Sequence, residues 1–338
     1  NEEQRRAVTH QGSPLLVLAG AGSGKTRVLI YRTHFLIKDQ KIDPEKILLL
    51  TFTNKAAGEM KDRVMKMGEG AKLGFAGTFH TYCARLLRRN GRLIGINNDY
   101  LIYDANDQET LMKMVLKGMG LTGTNNRPGM FLHIISRAKN DLINLTEFSA
   151  ASRDEFGDRI CKVWGNYQKA LNEAGALDFD DLLVRTVELL RNKSFYEGFR
   201  NCFESVLVDE YQDTNKSQFE LTKLLASNPK GLTVVGDAAQ AIYSFRGADY
   251  KNLMMLDKEY PDLKTVTLKN NYRSTQMILD AANGVISNNK NHPILQLEST
   301  ISGGEKIKMV EVKDEKEEAA HVVSVAEEAS KNDESLAV

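Results

Sequence analysis

Leu16-Val17-Leu18-Ala19-Gly20-Ala21-Gly22-Ser23-Gly24-Lys25-Thr26 decides the fold of this chain. A short apolar run reads as a buried strand, a glycine-rich turn follows, and Lys-Thr opens a helix. That is the order of a phosphate-binding loop. The glycines let backbone N–H groups turn inward around phosphate oxygens, at a helix N-terminus that favours anions. Lys25 is placed to reach the β- and γ-phosphates of a nucleotide, and the Thr26 hydroxyl to ligate Mg²⁺. Ala19 stands where the strict pattern has its first glycine, while Gly20 and Gly22 keep the loop permissive.

A second stretch complements the first. Val206-Leu207-Val208 runs into Asp209-Glu210, as a parallel strand does when it delivers an acidic pair to its C-terminal edge, where open α/β sheets bind ligands. Alone, such a pair more often marks a solvated turn. In a chain with a phosphate loop it points to nucleotide hydrolysis, with Asp209 holding Mg²⁺ through a water and Glu210 polarising the attacking water. Leu15–Leu18, Ile47–Leu50 and Leu232–Val235 are further strand candidates, each followed by a polar or amphipathic stretch. The expected fold class is α/β, a P-loop NTPase with a parallel sheet and helices on both faces.

From about Asp104 to Leu190 no strand is expected. Gln108–Leu116 and Arg159–Leu171 carry apolar residues at helical spacing around a Gly/Thr/Asn-rich loop at Gly118–Pro128, which reads as an inserted all-α subdomain. After Tyr272 the pattern predicts a helix over Gln276–Ile286, a strand over Ile307–Val312 and a charged helix over Glu315–Ala329. The expected division is residues 1–103 and 191–280 for the ATPase domain, 104–190 for the insert and 281–338 for the start of a second α/β domain.

Composition narrows the partners. Of 338 residues, 42% are apolar and 27% charged, with 45 Lys+Arg against 45 Asp+Glu, so a nucleic-acid surface has to be a local patch. Cys83, Cys161 and Cys202 lack metal-ligand spacing and read as reduced thiols of a cytoplasmic protein. No apolar run is long enough for a membrane span. The chain starts at Asn1 without Met and stops at Val338 as an apolar run begins, so it reads as a fragment.

Taken together the segments resemble superfamily 1A DNA helicases of the UvrD/Rep/PcrA type, motif by motif and in order. Asn1–Gln4 with Ala7-Val8 resembles the Q motif, Ala19–Thr26 motif I, Thr51–Ala57 with Glu59-Met60 motif Ia, and Gly77–Thr81 motif Ib. Leu177–Leu182 resembles the signature that closes the inserted helical domain, Asp209–Thr214 motif II, Gly236–Gly247 motif III, and Asn271–Ser274 motif IV. The resemblance implies a RecA-like domain, ATP and Mg²⁺ as cofactors, single-stranded and duplex DNA as partners, repair or replication proteins as associates, and 3′→5′ travel.

It also implies site residues. Nucleotide contacts fall to Gln4 on the adenine edge, to the loop residues Ala19, Gly20, Ala21, Gly22, Ser23, Gly24, Lys25 and Thr26, and to Arg27 and Tyr272 around the base. Lys25, Asp209, Glu210, Gln240 and Arg273 are the catalytic set, Gln240 sensing the γ-phosphate and Arg273 acting as an arginine finger. Phe52, Phe79, Phe179, Tyr243 and Phe245 are stacking candidates for DNA bases, with Thr78, His80 and Arg246 as backbone contacts. For each of these aromatics, core packing is the competing role. Ala239, Ala241 and Phe245 depart from the acidic residue, Ser and Trp usual in the family. Motifs V and VI are expected beyond Val338, so residues 1–338 should turn ATP over poorly alone. Two alternatives stay open: the helicase part of a RecB/AddA-type nuclease complex, and an ATP-gated DNA clamp that does not unwind.

Overall fold

The computed structural model describes residues 1–67, 72–121, 123, 126–244, 247–289 and 294–332. In chain order the first half comprises α1 (Glu2–Thr9), β1 (Leu15–Ala19), α2 (Lys25–Lys38), β2 (Ile47–Thr51), α3 (Asn54–Met67), β3 (Phe75–Thr78), α4 (Phe79–Asn90) and β4 (Leu101–Tyr103). Then come α5 (Ala105–Gly118), α6 (Pro128–Asn140), α7 (Leu145–Ala151), α8 (Glu155–Glu173), β5 (Ala176–Asp178), α9 (Phe179–Arg191) and α10 (Lys193–Phe199). The rest is β6 (Ser205–Val208), α11 (Lys216–Leu225), β7 (Leu232–Gly236), α12 (Lys251–Glu259), β8 (Lys264–Leu268), β9 (Asn270–Asn271), α13 (Gln276–Ile286), β10 (Glu298–Ser299) and α14 (Glu315–Asn332).

Six strands form one parallel sheet in the order β3-β2-β6-β7-β1-β8. Strand side chains alternate between the faces, and both faces are apolar because both are covered by helices. Leu15, Val17, Ile47, Leu49, Leu207 and Val235 join Val28 and Leu29 of α2 and Met60 and Val64 of α3 in one core. Leu16, Leu48, Leu50, Val206, Val208 and Val234 face the other way, against α4, α9, α11 and α12. A third core, around Met112, Phe131, Trp164 and Tyr167, holds α5, α6 and α8 together between the two halves of the sheet's sequence. Helix α9 lies within the insert by position, yet Leu182, Leu183, Val187 and Leu190 pack in the sheet's core.

The structure departs from expectation in several places. Ala176–Asp178 is a strand, paired in parallel with β4, so strand structure does not vanish from the insert. Phe75–Thr78 and Lys264–Leu268 form the two edges of the main sheet. Ile307–Val312 is not a strand: no other segment pairs with it among the described residues, and Met309 stands 97% exposed. An extended segment without a neighbour has no ladder to hold it.

Candidate nucleotide site and nucleic-acid groove

The C-terminal ends of β1, β6, β7 and β8 converge at one edge of the sheet. Strand β7 lies between β1 and β6, so the phosphate loop and the acidic pair flank the segment after β7 that carries Gln240. Gly22 (φ +75°) and Gly24 (φ +93°) shape the loop. A Cβ on Gly22 would come within 2.6 Å of Arg273 Cβ, and one on Gly24 within 2.8 Å of Gln4 Nε2, so neighbouring segments press directly on the loop. Gly24 is the N-cap of α2 and supplies no side-chain cap, which leaves first-turn amides for an anion.

Lys25 is 9% exposed. Its Nζ donates to Glu210 Oε2 at 2.6 Å and to Gln240 Oε1 at 3.3 Å. Gln240 Nε2 donates to Asp237 Oδ2 at 2.7 Å, the Asp237 amide donates to Gln212 Oε1 at 3.0 Å, and Gln212 Nε2 donates back to Glu210 Oε2 at 2.8 Å. The five residues close a ring, one link of which is the Asp237 backbone amide. Glu210 holds φ +48°, a left-handed conformation that costs a side-chain-bearing residue on the order of 1–3 kcal/mol and is typical of functional sites. Asp209 beside it is 5% exposed. Burial, reinforced by the Glu210 charge, pushes its carboxyl up to about 7 against the pull of Lys25.

These residues suit Mg²⁺. Asp209, Glu210 and Thr26 offer hard oxygen donors, and a buried acid at Asp209 is one that a divalent cation would hold ionised. No group of three or more His, Cys, Asp or Glu able to hold a metal occurs among the described residues.

The cleft over the loop, about 490 Å³, is bordered by Lys25, Thr26, Arg27, Gln240, Tyr272 and Arg273, and also by Glu59 and Arg63 of α3. A second hollow of about 420 Å³ adjoins it, between Gln4, Val8, Arg27, Tyr31 and Tyr272. Gln4 Nε2 donates to the Ser23 carbonyl at 2.9 Å, and Gln4 completes a capping box with Asn1 at the start of α1. The Arg27 guanidinium lies 5.5 Å from the centroid of the Tyr31 ring, one turn along α2. Asn271 Nδ2 donates to the Ala21 carbonyl at 2.6 Å and the Tyr272 amide to the Gly22 carbonyl at 2.9 Å, which pins the segment after β8 to the loop. Tyr31, Asn271 and Gln212 were not among the expected site residues. Tyr31 was legible as the aromatic four residues after Arg27; the other two depend on tertiary contact.

The aromatic candidates among the described residues gather around one groove. Phe52 and Tyr243 lie 5.0 Å apart, and His80 and Phe179 meet edge to face at 5.7 Å. Phe52, Thr78, Phe79, His80 and Phe179 all border a groove of about 480 Å³ whose opposite wall includes Ser136 of α6. Phe179 is 45% exposed, so its ring is open to a ligand. Phe79 is different. At 4% exposure it packs in the sheet's core, which corrects its reading as a stacking residue. The Thr78 hydroxyl caps α4 by accepting from the Thr81 amide. Burial lowers the His80 imidazole to about 4, so it faces the groove uncharged at neutral pH. Phe245 and Arg246 lie outside the described residues.

Fold and site together define a P-loop NTPase. A family model of the UvrD/REP helicase N-terminal domain matches residues 1–261, and one of the UvrD-like helicase C-terminal domain matches residues 266–338. The chain belongs to the UvrD/REP helicase family. Over 325 residues, 96% of its length, it is 44% identical to the ATP-dependent DNA helicase PcrA of Staphylococcus aureus, covering 44% of that protein. The PcrA of Staphylococcus epidermidis is 44% identical over 325 residues, with 45% of that protein covered. The chain thus spans less than half the length of these relatives. Among the described residues no helix is long and apolar enough to cross a membrane.

Proposed function

We propose that the chain is the nucleotide-hydrolysing part of an ATP-driven DNA translocase and helicase that moves 3′→5′, acting in the cytoplasm in repair or replication. The observation that carries this reading is the ring around Glu210. Lys25, the phosphate-binding lysine, rests on the carboxylate that has to polarise water, and Gln240 bridges it to the segment bearing Tyr243. An arriving triphosphate competes for Lys25 and Gln240, which frees Glu210 to accept a proton from water. Gln240 and Tyr243 share one short segment, so a shift at the phosphate reaches the Phe52–Tyr243 pair directly.

Roles follow residue by residue. The loop amides of residues 19–26 cradle phosphates, Gln4 reads the adenine edge, and Arg27 and Tyr272 enclose the base. Thr26 and Asp209 would hold Mg²⁺, which when bound neutralises phosphate charge. Arg273, exposed in the cleft with no ion pair among the described residues, stabilises the charge that builds up in phosphoryl transfer. Phe52, Phe179, Tyr243 and Phe245 offer ring faces to bases of any identity, while Thr78, His80 and Arg246 meet the backbone. The domain division at 103, 190 and 280 belongs to the same reading, supported by the separate core of the insert. Tyr272 is 45% exposed in a cleft open on that side, which supports slow turnover by residues 1–338 alone.

The test is Glu210→Gln in the complete natural polypeptide. ATP hydrolysis should fall by about 10²–10⁴-fold and strand separation with it, while ATP and single-strand binding persist. A variant that still unwinds DNA would refute the assignment; a wild type that binds DNA but never unwinds it would favour the clamp.

A further inference from the structure

We infer that Asn140, at the end of α6, and Asn215, just after motif II, are positioning residues that tie the hydrolytic site to the inserted helical subdomain. This rests on the function proposed above and assigns it a route. Asn215 Oδ1 accepts from the Gln218 amide at 2.9 Å and from Ser217 Oγ at 2.7 Å, which caps α11. Its Nδ2 is therefore the group that faces outward, and it donates to Asn140 Oδ1 at 2.6 Å. That fixes the second amide in turn: Asn140 Nδ2 donates to Asp180 Oδ1 at 3.0 Å, in the first turn of α9. Both asparagines are 7% exposed. The relay has one direction, set at its origin by the backbone of α11 and at its end by a carboxylate, which can only accept.

Neighbouring bonds show what the relay joins. The Thr214 carbonyl accepts from the Asp249 amide and from Asn252 Nδ2, so the tail of motif II is also tied to the segment after motif III. On the α6 side Lys139 binds Asp178 and Asp181 at 2.7 and 2.8 Å, which locks the end of α6 to the start of α9. Movement of the motif II tail on nucleotide binding therefore reaches α6 and α9 together through one amide, Asn140. These two helices bring Ser136 and Phe179 to the groove. Asn215 and Asn140 border the groove too, and their polar groups are spent on each other, on Asp180 and Ser136, and on the cap of α11 rather than left for a strand.

The direction of the relay supplies the test. Asn215→Asp keeps the cap, since Asp caps helices as well as Asn does, but removes the donor toward Asn140. Asn140 can then satisfy only one side. Asp180→Asn alone keeps an acceptor for Asn140 and should change little. Combined with Asn215→Asp it lets the Asn140 amide turn over, so that the relay re-forms in the opposite direction. The readout is the ratio of ATPase kcat with saturating oligo-dT to kcat without it, in the complete natural polypeptide, with Kd for the oligonucleotide and Tm alongside. Asn215→Asp should lower the ratio by about tenfold and the double variant should restore it to within about twofold of wild type. If Asn215→Asp does not fold, Asn140→Ala breaks both bonds without touching the cap and should lower the ratio equally. An unchanged ratio in either single variant overturns the inference. So does a double variant that melts like wild type without recovering, or a loss in Kd alone, which would make these residues DNA contacts. A wild-type ratio of one would refute the proposed function itself, whereas a stimulated wild type with insensitive variants refutes only the relay.

Discussion

Two lysines meet carboxylates in this molecule at nearly the same distance and in opposite surroundings. Lys25 Nζ lies 2.6 Å from Glu210, whose side chain is 32% exposed. Lys139 Nζ lies 2.7 and 2.8 Å from Asp178 and Asp181, and all three side chains are at most 5% exposed. Lys139 has lost its water, is held by two carboxylates and lies against the Tyr167 ring at 5.7 Å. Although burial works against its charge, the two aspartates hold its pKa above the usual lysine range. Lys25 has one carboxylate, an open cleft beside it and an amide as second partner, so an incoming phosphate can take it over at modest cost. Distance alone does not separate a structural ion pair from a functional one; the number of partners and the way out do.

The comparison can be broken most directly at Lys139. Lys139→Met should cost about 3–5 kcal/mol of stability, because it strands two buried carboxylates, and chemical denaturation would show it. A small loss would mean that the inner pair is no more committed than the outer one. Lys25→Met should melt near wild type yet lower kcat for ATP by about 10²–10³-fold, as loss of one charge-stabilising donor does elsewhere. The smallest effect is set at the groove, by the uncharged His80 that borders it. His80 has a folded pKa near 4 against 6.5 for the free side chain, so neutral His80 favours the fold above pH 6.5 and that contribution is lost as pH falls toward 4. Stability measured from pH 7 to 4 should fall by about 2–3 kcal/mol more in wild type than in His80→Gln.

Much of this was open to a reader of the sequence, for reasons that differ from element to element. β1, β2, β6 and β7 announced themselves because strands buried on both faces are continuous apolar runs. β3 did not, since Phe-Ala-Gly-Thr at residues 75–78 has neither bulk nor alternation. β8 does carry a strand signal, Val266 and Leu268 alternating with threonines, and both are buried. Ile307–Val312 shows the reverse, a good strand pattern with no strand beside it. The same division runs through the site. Lys25, Asp209, Glu210 and Gln240 belong to segments whose local pattern fixes their place at the sheet edge. Gln212, Asn271, Asn140 and Asn215 each hold a contact with a residue 25 to 250 positions away, and an amide in a sequence does not say whom it will meet.

Glu210 sits on the backbone in a left-handed conformation that glycine or asparagine would adopt with less strain. The backbone of the turn after β6 does not call for a glutamate; the carboxylate that Lys25 and Gln212 share, and the water activation proposed for it, do. The position therefore records a conflict between folding and chemistry, and drift relaxed from selection for hydrolysis should first erode the sequence here, toward residues that suit the turn. On the proposed function, a glutamate kept at such a site would mark a chain still selected for hydrolysis.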